Sequence, residues 1–440
     1  MVPHNRPSLP EVHRSIAVPR GNSFWRKILA YAGPGYLVSV GYIDPGNWAT
    51  DIAGGSQFGY ALLTVILLSN LMAILLQSLS VRFGVATGRD LAQACRDYFS
   101  PRVSFLLWVL CEIAIAACDL AELLGSAIAL QLLFGLPLVW GVCITALDVI
   151  VLLFLQGKGF RYIEALVIML VATVGLCFAA EIMFSRPDMA GIMLGYVPKR
   201  EILQNPEMLY IAISILGATV MPHNLYLHSS IVQTRDWQPT SKKRWEAIKF
   251  GTIDSTVALS LALFINSAIL IVAAATFHFS GYQHVAEIQD AYKLLSPLLG
   301  VNAASAIFGL ALLASGQSST LTATLAGQIV MEGFLQLRIS PWLRRLATRL
   351  LAIVPALIAI IFFGEQSTAS LLVFSQVILS LQLSFAVIPL VMFTSDRRWM
   401  GEFVNPLWLK ALAWLVAIII AGLNAWLLLQ TLLGWLSPSH

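Results

Sequence analysis

Val40-Gly41-Tyr42-Ile43-Asp44-Pro45-Gly46-Asn47 (residues 40–47) interrupts the first long apolar segment of the chain. It brings a carboxylate, a proline, two glycines and an amide into a segment that is otherwise suited to cross a bilayer as one helix. Because proline removes a backbone donor and glycine weakens a helix, we expect the helix to break here. Broken backbone at membrane depth is tolerated only where it lines a cavity or is buried in protein. An ionisable residue at such a place indicates a functional site.

The composition is that of a polytopic membrane protein. Of the 440 residues, 58% are hydrophobic and only 11% are charged, whereas about 25% of a soluble domain is charged. The five cysteines show no CxxC spacing, so we interpret them as buried thiols, not as a disulfide framework or a zinc site. The basic residues flank apolar segments and show no nucleic-acid signature. The first 28 residues are polar and basic without an apolar core, which argues against a signal peptide.

Apolar stretches long enough to span a bilayer, for which about 20 residues suffice, follow one another along the chain. The predicted spans are 29–58, 60–81, 103–133, 136–156, 161–184, 207–234, 247–277, 303–335, 341–364, 367–394 and 407–434. A surface helix is predicted at 285–296 from apolar residues at helical spacing. We therefore predict an all-α membrane protein with eleven transmembrane helices, in which a tail at 1–28 precedes a single transmembrane domain at 29–440.

The positions of Lys and Arg predict the orientation. With the N-terminus in the cytoplasm and eleven spans, nearly all of the 27 basic residues fall in cytoplasmic segments. The exceptions on the outer side are Arg186, Lys199, Arg200 and Lys293. We therefore expect a cytoplasmic N-terminus and an outer C-terminus. The compact tails, without sorting motifs or an N-x-[ST] sequon, favour the plasma membrane of a bacterium.

A second break is predicted in span six, at Gly217-Ala218-Thr219-Val220-Met221-Pro222-His223-Asn224 (residues 217–224). Its Met-Pro-His-Asn aligns with the Asp-Pro-Gly-Asn of the first break, and a small residue lies three positions before each motif (Gly41 and Ala218). The two motifs are five spans apart, so their helices cross the membrane in opposite directions. This arrangement is typical of an inverted-topology repeat that binds its substrate at the midplane between discontinuous helices 1 and 6.

The donor atoms at the two breaks favour a transition metal. Asp44 offers a carboxylate, Asn47 an amide oxygen, and Met221 a thioether sulfur, while the breaks free the carbonyls of Gly41 and Ala218. A membrane methionine is more often packing, but this one occupies the position equivalent to the aspartate and precedes a proline. Because Mg²⁺ and Ca²⁺ prefer all-oxygen sites, a sulfur ligand points to ions such as Mn²⁺ or Fe²⁺.

Several motifs together resemble the Nramp family of divalent metal transporters. They begin with the paired Asp-Pro-Gly-Asn and Met-Pro-His-Asn signatures, and the resemblance extends over nearly the whole chain. The further motifs are Asp119-Leu120-Ala121-Glu122, Tyr226-Leu227-His228-Ser229, Gly316-Gln317-Ser318-Ser319-Thr320, Ala326-Gly327-Gln328, Gly333-Phe334, Trp342-Leu343-Arg344-Arg345 and Ser375-Gln376-Val377. The resemblance covers the transmembrane domain and leaves out the terminal tails.

The resemblance implies a five-plus-five inverted repeat of the amino-acid/sodium symporter-like fold, at about 29–184 and 207–394, with an extra helix at 407–434. It implies proton-coupled uptake of Mn²⁺ or Fe²⁺, between which the sequence does not discriminate. By the family pattern, side chains of Asp44, Asn47 and Met221 and carbonyls of Gly41 and Ala218 bind the metal, and Gln376 approaches it in an occluded state. The methionine argues against the magnesium-transporting relatives, which lack it.

A second set of residues points to proton transfer. Glu112, Asp119 and Glu122 share one face of span three at about 100° per residue, and three acids on one face within lipid are costly for a structural purpose alone. The resemblance implies that Asp119 and Glu122 belong to a proton route from the metal site, with an arginine of the Arg344-Arg345 pair as charge partner. His223 and His228 are candidates because histidine titrates near physiological pH. Asp44 is expected to bind metal and to pass on a proton.

The other charges within the predicted spans have a structural interpretation. We interpret Asp51, Asp148 and Asp254 as vestibule or buried-network residues, and Glu164 as lying near a cytoplasmic end where solvation is cheap. Residues 29–42 are expected to swing when the inside opens, starting from the flexible Gly33-Pro34-Gly35.

Two other function classes remain open at this point. One is a cation-coupled amino-acid symporter of the same broad fold. The other is an intramembrane metal-dependent hydrolase, which no HExxH or nucleophile–base spacing supports. We expect no enzymatic activity and no cofactor; the expected partners are divalent metal ions, protons and the lipid bilayer, with the chain acting as a monomer.

Overall fold

A computed structural model of the chain describes residues 7–19, 21, 23–145, 159–285, 287–337, 340–363 and 368–436. The described part is almost entirely helical. Its α-helices are α1 (Phe24–Tyr31), α2 (Pro34–Val40), α3 (Pro45–Phe58), α4 (Leu63–Thr87), α5 (Leu91–Tyr98), α6 (Pro101–Phe134), α7 (Leu138–Thr145), α8 (Phe160–Ser185), α9 (Met189–Gly195), α10 (Glu201–Gln204), α11 (Pro206–Thr219), α12 (Pro222–Ile231), α13 (Ser241–Thr276), α14 (Ile288–Leu299), α15 (Ala304–Leu335), α16 (Pro341–Phe363), α17 (Thr368–Ser395), α18 (Arg397–Met400) and α19 (Leu407–Leu436). Short 3₁₀ turns lie at Gly41–Ile43, Gly59–Leu62, Val232–Thr234, His278–Ser280 and Gly401–Phe403. The strands β1 (Ile16–Ala17) and β2 (Arg235–Asp236) form one parallel pair.

The helices follow the predicted spans. Within the described residues, eight helical segments are long and apolar enough to cross a membrane. Spans three and eight each form one long helix, α6 and α15, and the predicted surface helix is α14. Most of span four, together with Asp148, lies outside the described residues. The all-α membrane architecture is confirmed, while the count of eleven spans and the inverted repeat stay predictions.

Both predicted helix breaks are present. In span one, α2 passes through the 3₁₀ turn at Gly41–Ile43 into an extended residue, Asp44, and α3 then begins at Pro45. In span six, α11 ends at Thr219, Met221 is extended, and α12 begins at Pro222. In each case proline occupies the first helical position, where its missing N–H has no carbonyl to satisfy and its fixed φ suits a helix start.

Side chains from several helices satisfy the carbonyls freed at the first break. The Tyr42 carbonyl accepts a hydrogen bond from Asn266 Nδ2 (2.7 Å). The Ile43 carbonyl accepts from the Trp48 indole (3.2 Å) and from the Ser315 hydroxyl. Buried backbone acceptors need such partners in a membrane, where water cannot supply them. The break is therefore a built feature, in which α13 and α15 hold the interrupted backbone in place.

Two glycines allow the site helices to approach closely. A Cβ at Gly46 would overlap the amide of Gln376 on α17, and a Cβ at Gly125 on α6 would overlap the ring of Pro45. The first turn of α3 therefore touches both α17 and α6. This contact brings span three, with its acids, next to the break in span one.

The start of α2 is held by buried charges. Asp254 on α13 accepts hydrogen bonds from the N–H groups of Gly33 (3.2 Å) and Gly35 (2.7 Å), as expected for a buried-network residue. The Arg235 side chain forms an ion pair with Glu164 (2.5 Å), and both side chains are 1% exposed or less. The expectation that Glu164 is cheaply solvated was wrong: it lies inside the protein, because the Arg235 guanidinium comes in from the end of span six.

Removing Arg235 is expected to destabilise the protein strongly. Arg235→Ala leaves Glu164 buried beside one remaining cation, the half-exposed Arg161, and loses the hydrogen bonds to the carbonyls of Ala30 and Ala32. Breaking a buried pair from one side typically costs about 3–5 kcal/mol. Thermal denaturation in detergent should show a lower melting temperature for Arg235→Ala and an unchanged one for the exposed control Lys293→Ala. Equal melting temperatures for the two variants would contradict the stabilising role of the pair.

Candidate functional site

The two breaks meet at the side chain of Asn47. Its Nδ2 lies 2.6 Å from Asp44 Oδ1, 3.1 Å from the Ala218 carbonyl oxygen and 3.4 Å from that of Gly41. Its backbone N–H also donates to Asp44 Oδ1 (2.9 Å), so Asp44 caps α3. Four of the residues singled out from the sequence thus surround one point, to which the first break contributes three and the second contributes Ala218.

Three residues at the junction of the two breaks carry a buried acceptor atom without a partner among the described residues. Asp44 Oδ2, Gln376 Oε1 and Asn224 Oδ1 are buried and have no hydrogen-bond partner among the described residues. Oxygens of carboxylates and amides only accept, so they need a donor or a cation when they are buried. Unpartnered buried acceptors of this kind suit a positively charged species.

Met221 and Gln376 complete the group. The Met221 sulfur lies 3.0 Å from the position that a Cβ on Gly41 would take, so it faces the first break. On its other side Met221 packs in a small apolar cluster with Cys118 of α6. Gln376 lies over Gly46, two residues beyond Asp44. All six residues expected to bind metal therefore lie at or beside the junction of the two breaks.

The set of charged donors is small. Among the residues that the structure describes, no group of three His, Cys, Asp or Glu side chains is placed to hold a metal ion. A metal at the junction would therefore depend on one carboxylate together with neutral amide, carbonyl and thioether donors. Such a mixed set lacks the imidazoles and thiolates that bind Zn²⁺ and Cu²⁺ most strongly, which suits an ion that must be released.

The acids of span three lie beside this site. Asp119 and Glu122 are buried on α6, and Glu122 Oε1 accepts a weak hydrogen bond from the Cys118 thiol (3.5 Å). Since Cys118 belongs to the cluster of Met221, one side chain separates Glu122 from Met221. Glu112 is partly buried and accepts a hydrogen bond from the Trp108 indole (3.1 Å).

The two histidines have different surroundings. His228 is fully buried, and its Nδ1 lies 2.9 Å from Gln77 Oε1, while Gln77 Nε2 donates to the Tyr42 hydroxyl (2.9 Å). This chain of side chains connects His228 to the first break. His223 is also buried, in the first turn of α12, and its Nδ1 has no partner among the described residues.

Some site residues were not found from the sequence, and two expected ones are not described. Gln77, Asn266 and Ser315 bind the broken backbone or the histidine network. Gln77 and Asn266 lie in spans where no motif was singled out, and Ser315 lies one residue before the motif at 316–320. Arg344 and Arg345 belong to α16, and their side chains lie outside the described residues.

A cavity of about 830 Å³ lies between the C-terminal end of α3 and the N-terminal end of α11. Its lining includes Ala53, Gln57, Ile211 and Ala369. Ala53 lies six residues beyond Asn47 on α3, and Ala369 lies seven before Gln376 on α17. The cavity therefore lies above the junction of the breaks, on the side that the charge distribution predicts to be outside.

Comparison with known sequences connects this arrangement to one family. The profile of the Nramp family, described as "Natural resistance-associated macrophage protein-like", matches residues 35–430. A "Divalent metal cation transporter MntH" of Nostoc sp. (strain PCC 7120) is 88% identical over 434 residues, which are 99% of this chain and 98% of that protein. A protein of the same name from Listeria monocytogenes is 63% identical over 97% of this chain and 96% of its own length.

Comparison with solved structures agrees with this family match. The Eremococcus coleocola manganese transporter, in complex with an aromatic bis-isothiourea compound, aligns with a TM-score of 0.89 at 41% identity over 95% of this chain and 90% of that one. A variant of that transporter aligns with a TM-score of 0.91 at 40% identity, over 99% of this chain and 93% of that one. Mhp1, a nucleobase-cation-symport-1 transporter, gives 0.57 at 16% identity over 92% of this chain and 84% of that chain, a likeness of fold alone.

Proposed function

Because this chain belongs to the Nramp family of membrane metal transporters, which are not enzymes, we propose that it imports Mn²⁺, and Fe²⁺ as a second cargo, together with protons. The main support is the junction of the two breaks, where the Asn47 amide lies among the Asp44 carboxylate and the carbonyls of Gly41 and Ala218, and where Asp44 Oδ2 is buried without a partner among the described residues. The relatives named as divalent metal cation or manganese transporters support the choice of cargo. In this proposal the chain works as a monomer in the plasma membrane, with its N-terminus in the cytoplasm.

The proposed ligands are the side chains of Asp44, Asn47 and Met221 and the carbonyls of Gly41 and Ala218. The neighbouring carbonyls of Tyr42 and Ile43 are not proposed as ligands, because they already accept hydrogen bonds from side chains of α13, α15 and Trp48. The carbonyls of Gly41 and Ala218 face only the Asn47 amide among these contacts, and rotation of that side chain frees both. Gln376 joins in the occluded state, since it already lies over the first turn of α3.

Metal binding requires the Asn47 amide to turn. Its Nδ2 now donates toward Asp44 Oδ1 and the two carbonyls, and a cation in their midst would repel this nitrogen. Turning the amide presents Oδ1 to the ion, at the loss of the long contact between Asn47 Oδ1 and Asn266 Nδ2 (3.3 Å). An amide that donates to a carboxylate in one state and ligates a cation in the other suits a site that must bind and release.

For proton coupling we propose that Asp44 passes a proton toward Asp119 and Glu122, with Glu112 and an arginine of the Arg344–Arg345 pair further along. This route is supported by the contact between Gly125 and Pro45 and by the Cys118 thiol between Met221 and Glu122, which bring the acids of α6 close to the junction of the two breaks. His223 and His228 are proposed as further proton-handling groups at the second break.

Coupling is tested by transport into liposomes. An inward acid gradient of about one pH unit should accelerate Mn²⁺ uptake by the wild type about tenfold, because one pH unit changes the proton activity by that factor. In Glu122→Gln, which keeps the shape and the Cys118 contact but cannot carry charge, the acceleration should fall to less than about twofold. Glu201→Gln, at an exposed outer helix start, serves as the matched control. Uptake by the wild type that is indifferent to the gradient would refute proton coupling.

Alternating access is proposed as the transport cycle. The cavity above the junction gives metal a route from outside, and at the opposite end the start of α2 is held by Asp254, Glu164 and Arg235. Opening to the cytoplasm is proposed to occur when residues 29–42 leave these partners and swing about Gly33, whose φ of 139° is accessible to glycine without strain. Substrate then reaches the cytoplasm past the separated half-helix.

A further inference from the structure

The N-terminal segment of residues 7–18, here named the strap, is packed against the transporter. It was expected to be part of a polar tail, yet Ser8 and Leu9 are buried and its residues 16–17 form the strand that pairs with β2. The strap contacts the ends of spans two, six and eight on the side that the charge distribution predicts to be cytoplasmic.

One end of the strap occupies a polar notch formed by α5 and α15. The Ser8 hydroxyl donates to Asp90 Oδ2 (2.6 Å), and Gln93 Nε2 donates to the same hydroxyl (3.4 Å). The Leu9 N–H donates to Glu332 Oε2 (3.0 Å). Hydrogen bonds to buried carboxylates are among the stronger ones in proteins. Leu9 is 3% exposed and holds a left-handed backbone conformation (φ 52°) that a leucine adopts only when its surroundings impose it.

The other end of the strap holds the segment that follows span six. The Arg14 N–H donates to the Gln233 carbonyl (3.0 Å), and Ile16 pairs in parallel register with Arg235. Arg235 is the residue whose guanidinium binds the carbonyls of Ala30 and Ala32 and the carboxylate of Glu164. The strap is therefore a second layer behind the contacts that hold the start of α2.

We propose that the strap is an intramolecular clamp that favours the inside-closed state and leaves its notch when the transporter opens to the cytoplasm. The proposal rests on the proposed alternating-access function. Its physical basis is the connection of the notch at Asp90 and Glu332, through the β1–β2 pair, to Arg235 and the half-helix expected to swing. Undocking the strap removes the backbone partner of Arg235 and weakens its hold on residues 30–32.

A cysteine reporter on α2 tests the clamp. Ser39 is buried in the half-helix, and among the described residues its hydroxyl donates to the Tyr36 carbonyl of the same helix. Ser39→Cys, with the natural cysteines replaced, therefore reports opening by its reaction with a water-soluble maleimide from the cytoplasmic side. Leu9→Asp sets a carboxylate beside Asp90 and Glu332 and expels the strap. Ser15→Asp adds the same charge at an exposed position of the strap and is the matched control.

The expected result is that Leu9→Asp reacts about five- to tenfold faster than the reporter alone, as for a shift of a two-state equilibrium, while Ser15→Asp reacts at the reporter's rate. Deletion of residues 1–18 should give the same labelling rate as Leu9→Asp. If the carboxylate introduced at position 9 prevents folding, the deletion alone tests the clamp. Labelling at the reporter's own rate in both Leu9→Asp and the deletion of residues 1–18 would overturn the proposal. Because labelling does not depend on transport, a wild type that carries no Mn²⁺ would refute the proposed function and leave this comparison intact.

Discussion

Asp44→Ala is expected to abolish Mn²⁺ uptake at micromolar concentrations. Asp44 supplies the single carboxylate at the junction of the two breaks, and its Oδ2 has no partner among the described residues. Loss of the charged ligand should weaken binding by about 100-fold or more, which corresponds to about 2.7 kcal/mol. The cap of α3 is lost as well, at a cost of about 1 kcal/mol, which a folded transporter tolerates.

The measurement is uptake of Mn²⁺ into proteoliposomes, with equal amounts of protein of the same melting behaviour. Asp188→Ala is the matched control, because Asp188 also caps a helix with its side chain but lies exposed in an outer loop. It should transport like the wild type. Normal uptake by Asp44→Ala would remove the metal assignment altogether.

Met221→Ala is expected to change selectivity more than rate. The thioether is a soft ligand that Mn²⁺ tolerates and that Ca²⁺ and Mg²⁺ avoid, and without it the site retains only oxygen donors. Mn²⁺ uptake should persist, while the concentration of Ca²⁺ or Mg²⁺ that halves Mn²⁺ uptake should fall about tenfold, a change of about 1.4 kcal/mol in relative affinity.

Competition assays with a series of divalent ions measure this selectivity. Met208→Ala is the matched control, because Met208 is a buried methionine of α11 that packs in an apolar cluster away from the breaks. It should destabilise the protein and leave ion preference as in the wild type. If Met221→Ala discriminates against Ca²⁺ as well as the wild type does, the sulfur has no part in selectivity.

The helix breaks could be predicted from the sequence because their causes are local. Proline favours the first position of a helix because its φ is fixed and it has no N–H to satisfy, and the helix after each break begins at its proline, Pro45 or Pro222. The approach of the two breaks followed from their equivalent positions five spans apart. The position of Asp119 and Glu122 beside the site required the contact of Gly125 with Pro45, which no local pattern reveals.

The buried charges and the strap could not be predicted, because they depend on contacts between residues that are far apart in the sequence. Arg235 follows span six and reads as one more cytoplasmic cation, yet its side chain is fully buried against Glu164. Ser8 bonds to a residue 82 positions away, and Leu9 to one 323 positions away. A polar, proline-containing segment predicts a free tail unless the carboxylates that receive it are known, and these come together only in the folded chain.

Diffraction from crystals of the Mn²⁺-soaked protein at the manganese absorption edge locates the bound ion itself, because anomalous scattering at that edge comes from manganese. We expect one strong peak between the two breaks, within coordination distance of the Asp44 carboxylate, the Asn47 amide oxygen and the Met221 sulfur. A fully occupied manganese peak elsewhere, with none between the breaks, would contradict it.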